Sequence, residues 1–286
     1  MPARTPSPIG AHLQTAGGLV ARGLGYADQV GAEAVQVFAA NPRAWAAPAV
    51  EPEEDAAFGG RCADRRIPVF VHAAYLVNLA SPAGTTRERS VDAVRHAVAR
   101  GRRLGARGVV LHAGSHGGSG PAEGIQRLRA GLLPLLDRLD DADPDLLLEP
   151  TAGGGHAMAA TVEQLPALLA AVDDHPRLGF CLDTCHAFAA GHDLTRPGGV
   201  RALLGDLVRA VGRGRLRLVH ANDSRDGVGS RRDRHANIGD GRIGLEPFAE
   251  LFRHPATSGV PVVVETPGDA EGHARDIATL KRLRDR

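Results

Sequence analysis

Six apolar runs in the chain each end on a residue able to bind a metal ion. They are VFVH at His72, VVLH at His112, LLLE at Glu149, FCLD at Asp183, RLVH at His220 and VVVE at Glu265. The intervals between these residues are 40, 37, 34, 37 and 45, each about long enough for a strand, a helix and two loops. Imidazole nitrogen and carboxylate oxygen are borderline and hard donors, which suit Zn²⁺ or Mn²⁺ in an open catalytic site more than a closed thiolate site. Three further donors lie close in sequence. His186 stands three residues past Asp183, one turn away if the chain turns helically there. Asp233 and His235 are two apart, so an extended segment points both to one side. A lone histidine after an apolar run is more often a hydrogen-bonded core residue than a ligand, but six such placements in succession favour the metal reading. Nine donors are too many for one metal and generous for two; three metals with shared carboxylates is the economical count.

Parallel strands are what could bring these residues together. A strand buried on both faces reads as a short continuous apolar run, and parallel strands place all their C-terminal residues at one end of a sheet. Two further strands precede the six, IGAHLQ at 9–14 and AVQVFA at 34–39. Helical spacing appears from about Ala16, over 90–105, 125–139, 162–172, 201–211 and 246–252, and near 270–284. Strands alternating with helices imply right-handed βαβ units. An open sheet concentrates its site at one switch point, whereas six consecutive strand ends require a ring. The expected fold is therefore α/β: a single (β/α)8 TIM barrel over residues 1–286, with the active site at the C-terminal rim of its parallel strands.

Composition agrees with one large aliphatic core. Of 286 residues, 43% are hydrophobic and only 3% aromatic, which suits a barrel interior of Val, Leu, Ile and Ala. The formal net charge of +1 neither supports nor excludes a nucleic-acid partner. Cys62, Cys181 and Cys185 form no CxxC pair; the expectation is a reduced cytoplasm, with Cys181 and Cys185 as small packing residues beside Asp183. The stretch MPARTPSPIGAHL lacks a long apolar region, and no segment approaches the roughly 18 apolar residues of a membrane span. His96, His175, His254 and His273 read as solvated, His12 is ambiguous, and His116 and His192 fall in loops near the rim.

The motifs resemble the endonuclease IV family of apurinic/apyrimidinic endonucleases. The carrying segments are IGAHLQTAGGL (9–19), NPRAW (41–45), HAAYLVNLAS (72–81), LHAGSH (111–116), LEPTAGGG (148–155), CLDTCHAFAAGHDL (181–194), HANDSRDGVGSRRDRHANIGDGRIG (220–244) and VETP (264–267). They run in the family's order along nearly the whole chain, and DTCHAFAAG and GSRRDRH are highly specific. The resemblance implies three Zn²⁺ per chain, with Mn²⁺ as a partial substitute. One ion would take His72, His112 and Glu149. A second would share Glu149 and add Asp183, His220 and Glu265. The third would take His186, Asp233 and His235. It further implies a cytoplasmic, monomeric base-excision repair enzyme acting on double-stranded DNA, with no membrane partner. That enzyme would hydrolyse the phosphodiester 5′ to an abasic site, leaving a 3′-hydroxyl and a 5′-deoxyribose phosphate, and would also trim blocked 3′ ends. Glu149 and Glu265 would be the catalytic carboxylates, while Arg43 and Tyr75 would enter the DNA at the lesion. Ala74 and Ala113 stand where the family usually has proline, and Pro150 where it has asparagine; none of these is a ligand. The rival on the same barrel is a metal-dependent sugar isomerase or epimerase, which has no need of His186, Asp233 and His235.

Overall fold

The computed structural model of the chain describes residues 4–45 and 51–286. Its strands are β1 (Ile9–His12), β2 (Val35–Phe38), β3 (Val69–His72), β4 (Gly108–His112), β5 (Asp145–Glu149), β6 (Leu178–Asp183), β7 (Leu216–His220), β8 (Asp223–Ser224), β9 (His235–Ala236) and β10 (Val262–Val264). Eight of these close a barrel in the order β1-β10-β7-β6-β5-β4-β3-β2, every neighbouring pair being parallel. β8 and β9 form a separate antiparallel ribbon above it. The helices are α1 (Leu24–Gln29), α2 (Pro52–Asp64), α3 (Gly84–Arg103), α4 (Pro121–Leu136), α5 (Leu165–Ala170), α6 (Thr184–Ala190), α7 (Gly199–Val211), α8 (Leu245–Arg253) and α9 (Ala270–Arg284).

Strand alternation sets the interior. Side chains two residues apart share a face, and Ala34, Phe70, Val110, Leu147, Cys181, Leu218 and Val263 form one buried cluster inside the barrel. Each lies two residues before Gln36, His72, His112, Glu149, Asp183, His220 or Glu265 respectively. The apolar layer is thus the floor on which a polar layer rests. Gly10 occupies the matching position on β1, two before His12. A Cβ there would fall 1.6 Å from the Ala34 carbonyl oxygen, so only glycine permits the approach of these two strands.

Several elements differ from their sequence reading, for local reasons. The first helical segment begins at Leu19 rather than near Ala16, because Gly17 and Gly18 hold φ of 97° and 102°. α2 was not picked out, although Pro52 and the acidic Glu53, Glu54 and Asp55 are a favourable first turn. The 162–172 segment divides into a 3-10 turn, Val162–Gln164, and the short α5, and positive φ at Asp173 and Asp174 ends it. α4 starts at Pro121, earlier than read, and accommodates Pro134 in its last turn. Among the described residues, no helix is long and apolar enough to cross a membrane.

Candidate metal centre and active site

All eight barrel strands send a residue at or near their C-terminal ends into the same polar layer. His72, His112, Glu149, Asp183 and His220 are the last residues of their strands, and Glu265 follows β10 by one. Register brings them side by side: His112 pairs with Glu149, and Asp183 with His220. His12 and Gln36 complete the ring from β1 and β2. Isolated ionised groups at this depth would be costly, yet Glu149, Asp183 and His220 are no more than 1% exposed.

The donors form three adjoining groups. In the first, His72 Nε2 and His112 Nε2 lie 3.3 and 3.4 Å from Glu149 Oε2. In the second, His220 Nδ1 lies 3.1 Å from Glu149 Oε1 and 3.3 Å from Glu265 Oε2, and Asp183 joins them. In the third, Asp233 oxygens stand 3.2 Å from His186 Nε2 and 3.0 Å from His235 Nε2. Asp183 also faces this group, its Oδ2 being 3.6 Å from His235 Nε2. Ligands 2.0–2.1 Å from a tetrahedral Zn²⁺ are about 3.3 Å apart, so the spacing is that of atoms converging on a cation. His186 Nε2 and His235 Nε2 are buried without a hydrogen-bond partner despite the nearby Asp233 oxygens. Both nitrogens lie beside the Asp233 carboxylate, and His235 Nε2 beside Asp183 as well, so the residues fit a metal ion.

The opposite ring nitrogens are engaged elsewhere. His72 Nδ1 faces the Ala73 carbonyl at 2.7 Å, His186 Nδ1 that of Pro150 at 3.1 Å, and His235 Nδ1 that of Glu265 at 3.1 Å. A backbone carbonyl only accepts, so each of these nitrogens carries the proton and leaves Nε2 free to ligate. Pro150, one of the departures from the family pattern, serves here through its carbonyl, which any residue supplies.

Electrostatics follow from this packing. Burial opposes the Glu149 charge, but His220 and contacts from His112 and His186 hold its carboxyl well below the usual range. Glu265 and Asp233 are lowered despite burial, chiefly by His220 and by His186 respectively. Burial likewise disfavours charge on His235, yet Asp183 and Asp233 lift it to about 9. Protonated imidazoles among ionised carboxylates are the charge arrangement that a divalent cation replaces.

Local structure fixes the donors. Asp183 caps α6 by accepting from His186 N at 2.9 Å, which places His186 one turn on, above the same rim. Asn222 donates to Asp183 Oδ2 at 2.7 Å and accepts from Glu265 N at 2.8 Å. The buried Asp223 carboxylate accepts from the backbone of Ser224, Gly239, Gly241, Ile243 and Gly244, closing the loop behind the His235 ribbon. None of Gln36, Asn222 and Asp223 was singled out from sequence. The available signal was a polar residue inside or just past an apolar run, as in AVQVFA and LVHAND.

Other expected residues fall as follows. Arg43 and Tyr75 stand exposed on neighbouring rim loops, which are joined by Tyr75 N donating to the Pro42 carbonyl at 3.0 Å. Tyr75 packs edge-on against Phe38 and His72, with ring centroids 5.2 and 5.7 Å away. Cys181 and Cys185 lie close enough to donors to be alternative ligands, but burial pushes both thiols up to about 12. His273 is buried, not solvated. Its Nδ1 meets the Tyr26 hydroxyl at 2.5 Å and its Nε2 the Thr266 carbonyl at 2.7 Å, because α9 packs its inner face behind the Glu265 segment.

A closed parallel barrel with converging imidazoles and carboxylates at its C-terminal rim defines a class, and residues 24–283 match the xylose isomerase-like TIM barrel family. A protein from Streptomyces coelicolor named probable endonuclease 4 is 54% identical over 281 residues, covering 98% of this chain and 96% of that protein. The crystal structure of endonuclease IV from Thermus thermophilus superposes with a TM-score of 0.83 at 35% identity, covering 97% and 99% of the two chains. Within the broader class, the chain belongs to the endonuclease IV family. A D-tagatose 3-epimerase-like protein, 18% identical with a TM-score of 0.75 over 97% of each chain, shares the barrel fold.

Proposed function

We propose that this protein is a zinc-dependent endonuclease of DNA base-excision repair. It hydrolyses the phosphodiester 5′ to an abasic site, leaving a 3′-hydroxyl and a 5′-deoxyribose phosphate, and trims blocked 3′ ends. Residues 1–286 act as one catalytic domain. The observation that carries the reading is the third donor group, His186, Asp233 and His235, adjoining the first two. A sugar isomerase or epimerase on the same barrel has no use for it.

His72, His112 and Glu149 would hold one Zn²⁺; Glu149, Asp183, His220 and Glu265 a second; and His186, Asp233 and His235 a third. Mn²⁺ can replace part of this complement, since the donors are nitrogen and oxygen. When bound, the ions supply Lewis-acid polarisation of the phosphate and activation of water near neutral pH. The chain's own part is positioning and recognition. Glu149 presents one oxygen to each of the first two groups, which keeps them at a fixed spacing. Glu265, held through its backbone N–H by Asn222, orients the attacking water. Arg43 and Tyr75 engage the duplex at the lesion, and a missing base lowers the cost of turning the nucleotide out of the stack.

The test is incision of a duplex containing one abasic analogue, with both new ends identified. Incision on the 5′ side with a 3′-hydroxyl, abolished by chelation and restored by zinc, is expected. An intact duplex, together with epimerisation of a ketose by the same zinc-loaded sample, would replace this reading with the sugar-isomerase one.

A further inference from the structure

Gln36 is fully buried at the barrel rim, the only polar residue of β2 and a member of the same layer as the donors. Burying an amide without partners is costly, and here both ends are used. Its Nε2 lies 2.6 Å from Glu265 Oε1 and its Oε1 lies 2.9 Å from His220 Nε2. The orientation is forced. An ionised carboxylate only accepts hydrogen bonds, so the NH₂ end must face Glu265. The amide oxygen then faces His220, and His220 Nε2 must be the nitrogen that carries hydrogen. His220 Nδ1 then faces the space between Glu149 Oε1 and Glu265 Oε2, at 3.1 and 3.3 Å, where a bound metal would take its lone pair in place of a proton.

His220 differs in this from its neighbours. His72, His186 and His235 each give Nδ1–H to a backbone carbonyl and present Nε2 to the centre. His220 is turned the other way, and no backbone carbonyl is within hydrogen-bonding distance of its Nε2 among the described residues. The acceptor is a side chain from another strand. We propose that Gln36 is the positioning residue of the second metal site. It selects the His220 ring orientation that offers Nδ1 to the metal and pins the Glu265 carboxylate beside it. This deepens the metal reading and rests on it. Partners of metal-bound histidines typically change metal affinity by 10–100-fold when removed.

Two variants separate the ends of the amide. Gln36→Met keeps length and volume but loses the hydrogen bonds of both ends, to Glu265 and His12 on one side and to His220 on the other; Gln36→Glu keeps an acceptor for His220 and loses the donor to Glu265. The measurements are zinc affinity by competition with a chelator and the ring N–H proton of His220 Nε2 by nitrogen-15 NMR of zinc-loaded protein. Wild type is expected to show a solvent-protected, downfield Nε2–H resonance. Gln36→Met should lose it and bind the most weakly held zinc 10–100-fold less tightly, whereas Gln36→Glu should retain the resonance. If wild type binds zinc and Gln36→Met keeps both the resonance and the affinity, the role of Gln36 is overturned while the metal centre stands. A wild-type protein that binds no zinc overturns the metal reading and this inference with it.

Discussion

Glu149 is the residue on which the centre converges. Its Oε2 faces His72 and His112, while its Oε1 faces His220 and, at 3.2 Å, His186 Nδ1. Replacing it with glutamine preserves shape but turns one ligating oxygen into an NH₂ that cannot bind a cation. Glu149→Gln is therefore expected to lower bound zinc and to slow abasic-site incision by at least about 10²-fold. Glu265→Gln should cost a similar factor; near-wild-type incision by that variant would remove Glu265 from the mechanism. The pH dependence also belongs at this scale. His235 has its folded pKa raised from 6.5 to about 9, so its stabilising contribution is complete below 6.5 and is lost as pH rises through about 9. His186 and His220 are shifted in the same direction. The lowered pKa values of Glu149, Glu265 and Asp233 act only at acid pH. Zinc competes with the imidazole protons. Between pH 6.5 and 9 the melting temperature of metal-free protein should fall while the increment conferred by zinc grows. Parallel melting curves with and without zinc check this, and an increment that shrinks with pH would contradict it. At residue scale seven of the candidate donors were legible because each is chemically conspicuous at a strand end or, for His186, one turn beyond; Asp233 and His235 were read from their two-residue spacing alone. Gln36 and Asn222 were not legible, since an amide announces no chemistry until its neighbours in space are known.

Between elements, the rim segments carrying Arg43 and Tyr75 are the surface that would meet the duplex under the proposed function. Asn41 Oδ1 accepts from Arg43 N at 3.0 Å, and the Pro42 carbonyl accepts from Tyr75 N, so the two loops hold one another. Both Arg43 and Tyr75 lie outside the nine donors. Arg43→Ala and Tyr75→Ala are expected to weaken affinity for abasic duplex while leaving zinc content unchanged. The Arg43 variant should also flatten the salt dependence of binding, because it removes a phosphate-competent cation. Titrations over a salt series, with zinc measured on the same samples, decide it; unchanged affinity in both variants would defeat the lesion-reading role. Element boundaries were legible where apolar periodicity ran to a ligand, as in β3 through β7. The β8–β9 ribbon was not, because two residues per strand carry no alternation to read. Asp223, within β8 itself, gathers five backbone N–H groups, from Ser224 and from the later 239–244 segment, and so ties the ribbon to residues far along the chain.

For the molecule as a whole, closure of the ring is what gives the centre its composition. An open sheet would have left the β1 and β10 ends far apart. Here β1 pairs with β10, which brings His12 Nδ1 to 3.3 Å from Glu265 Oε1 and Gln36 within reach of both. Closure was legible from the six successive rim donors. The participation of all eight strands was not, because β1 and β2 supply supporting residues rather than obvious ligands. The most direct test of the account is stepwise zinc reconstitution of chelated protein, with elemental analysis and incision of an abasic duplex measured on each sample. Activity should rise to its maximum as the content approaches three zinc ions per chain, and samples holding one should be nearly inactive. Full incision activity at one zinc per chain would contradict the trinuclear centre.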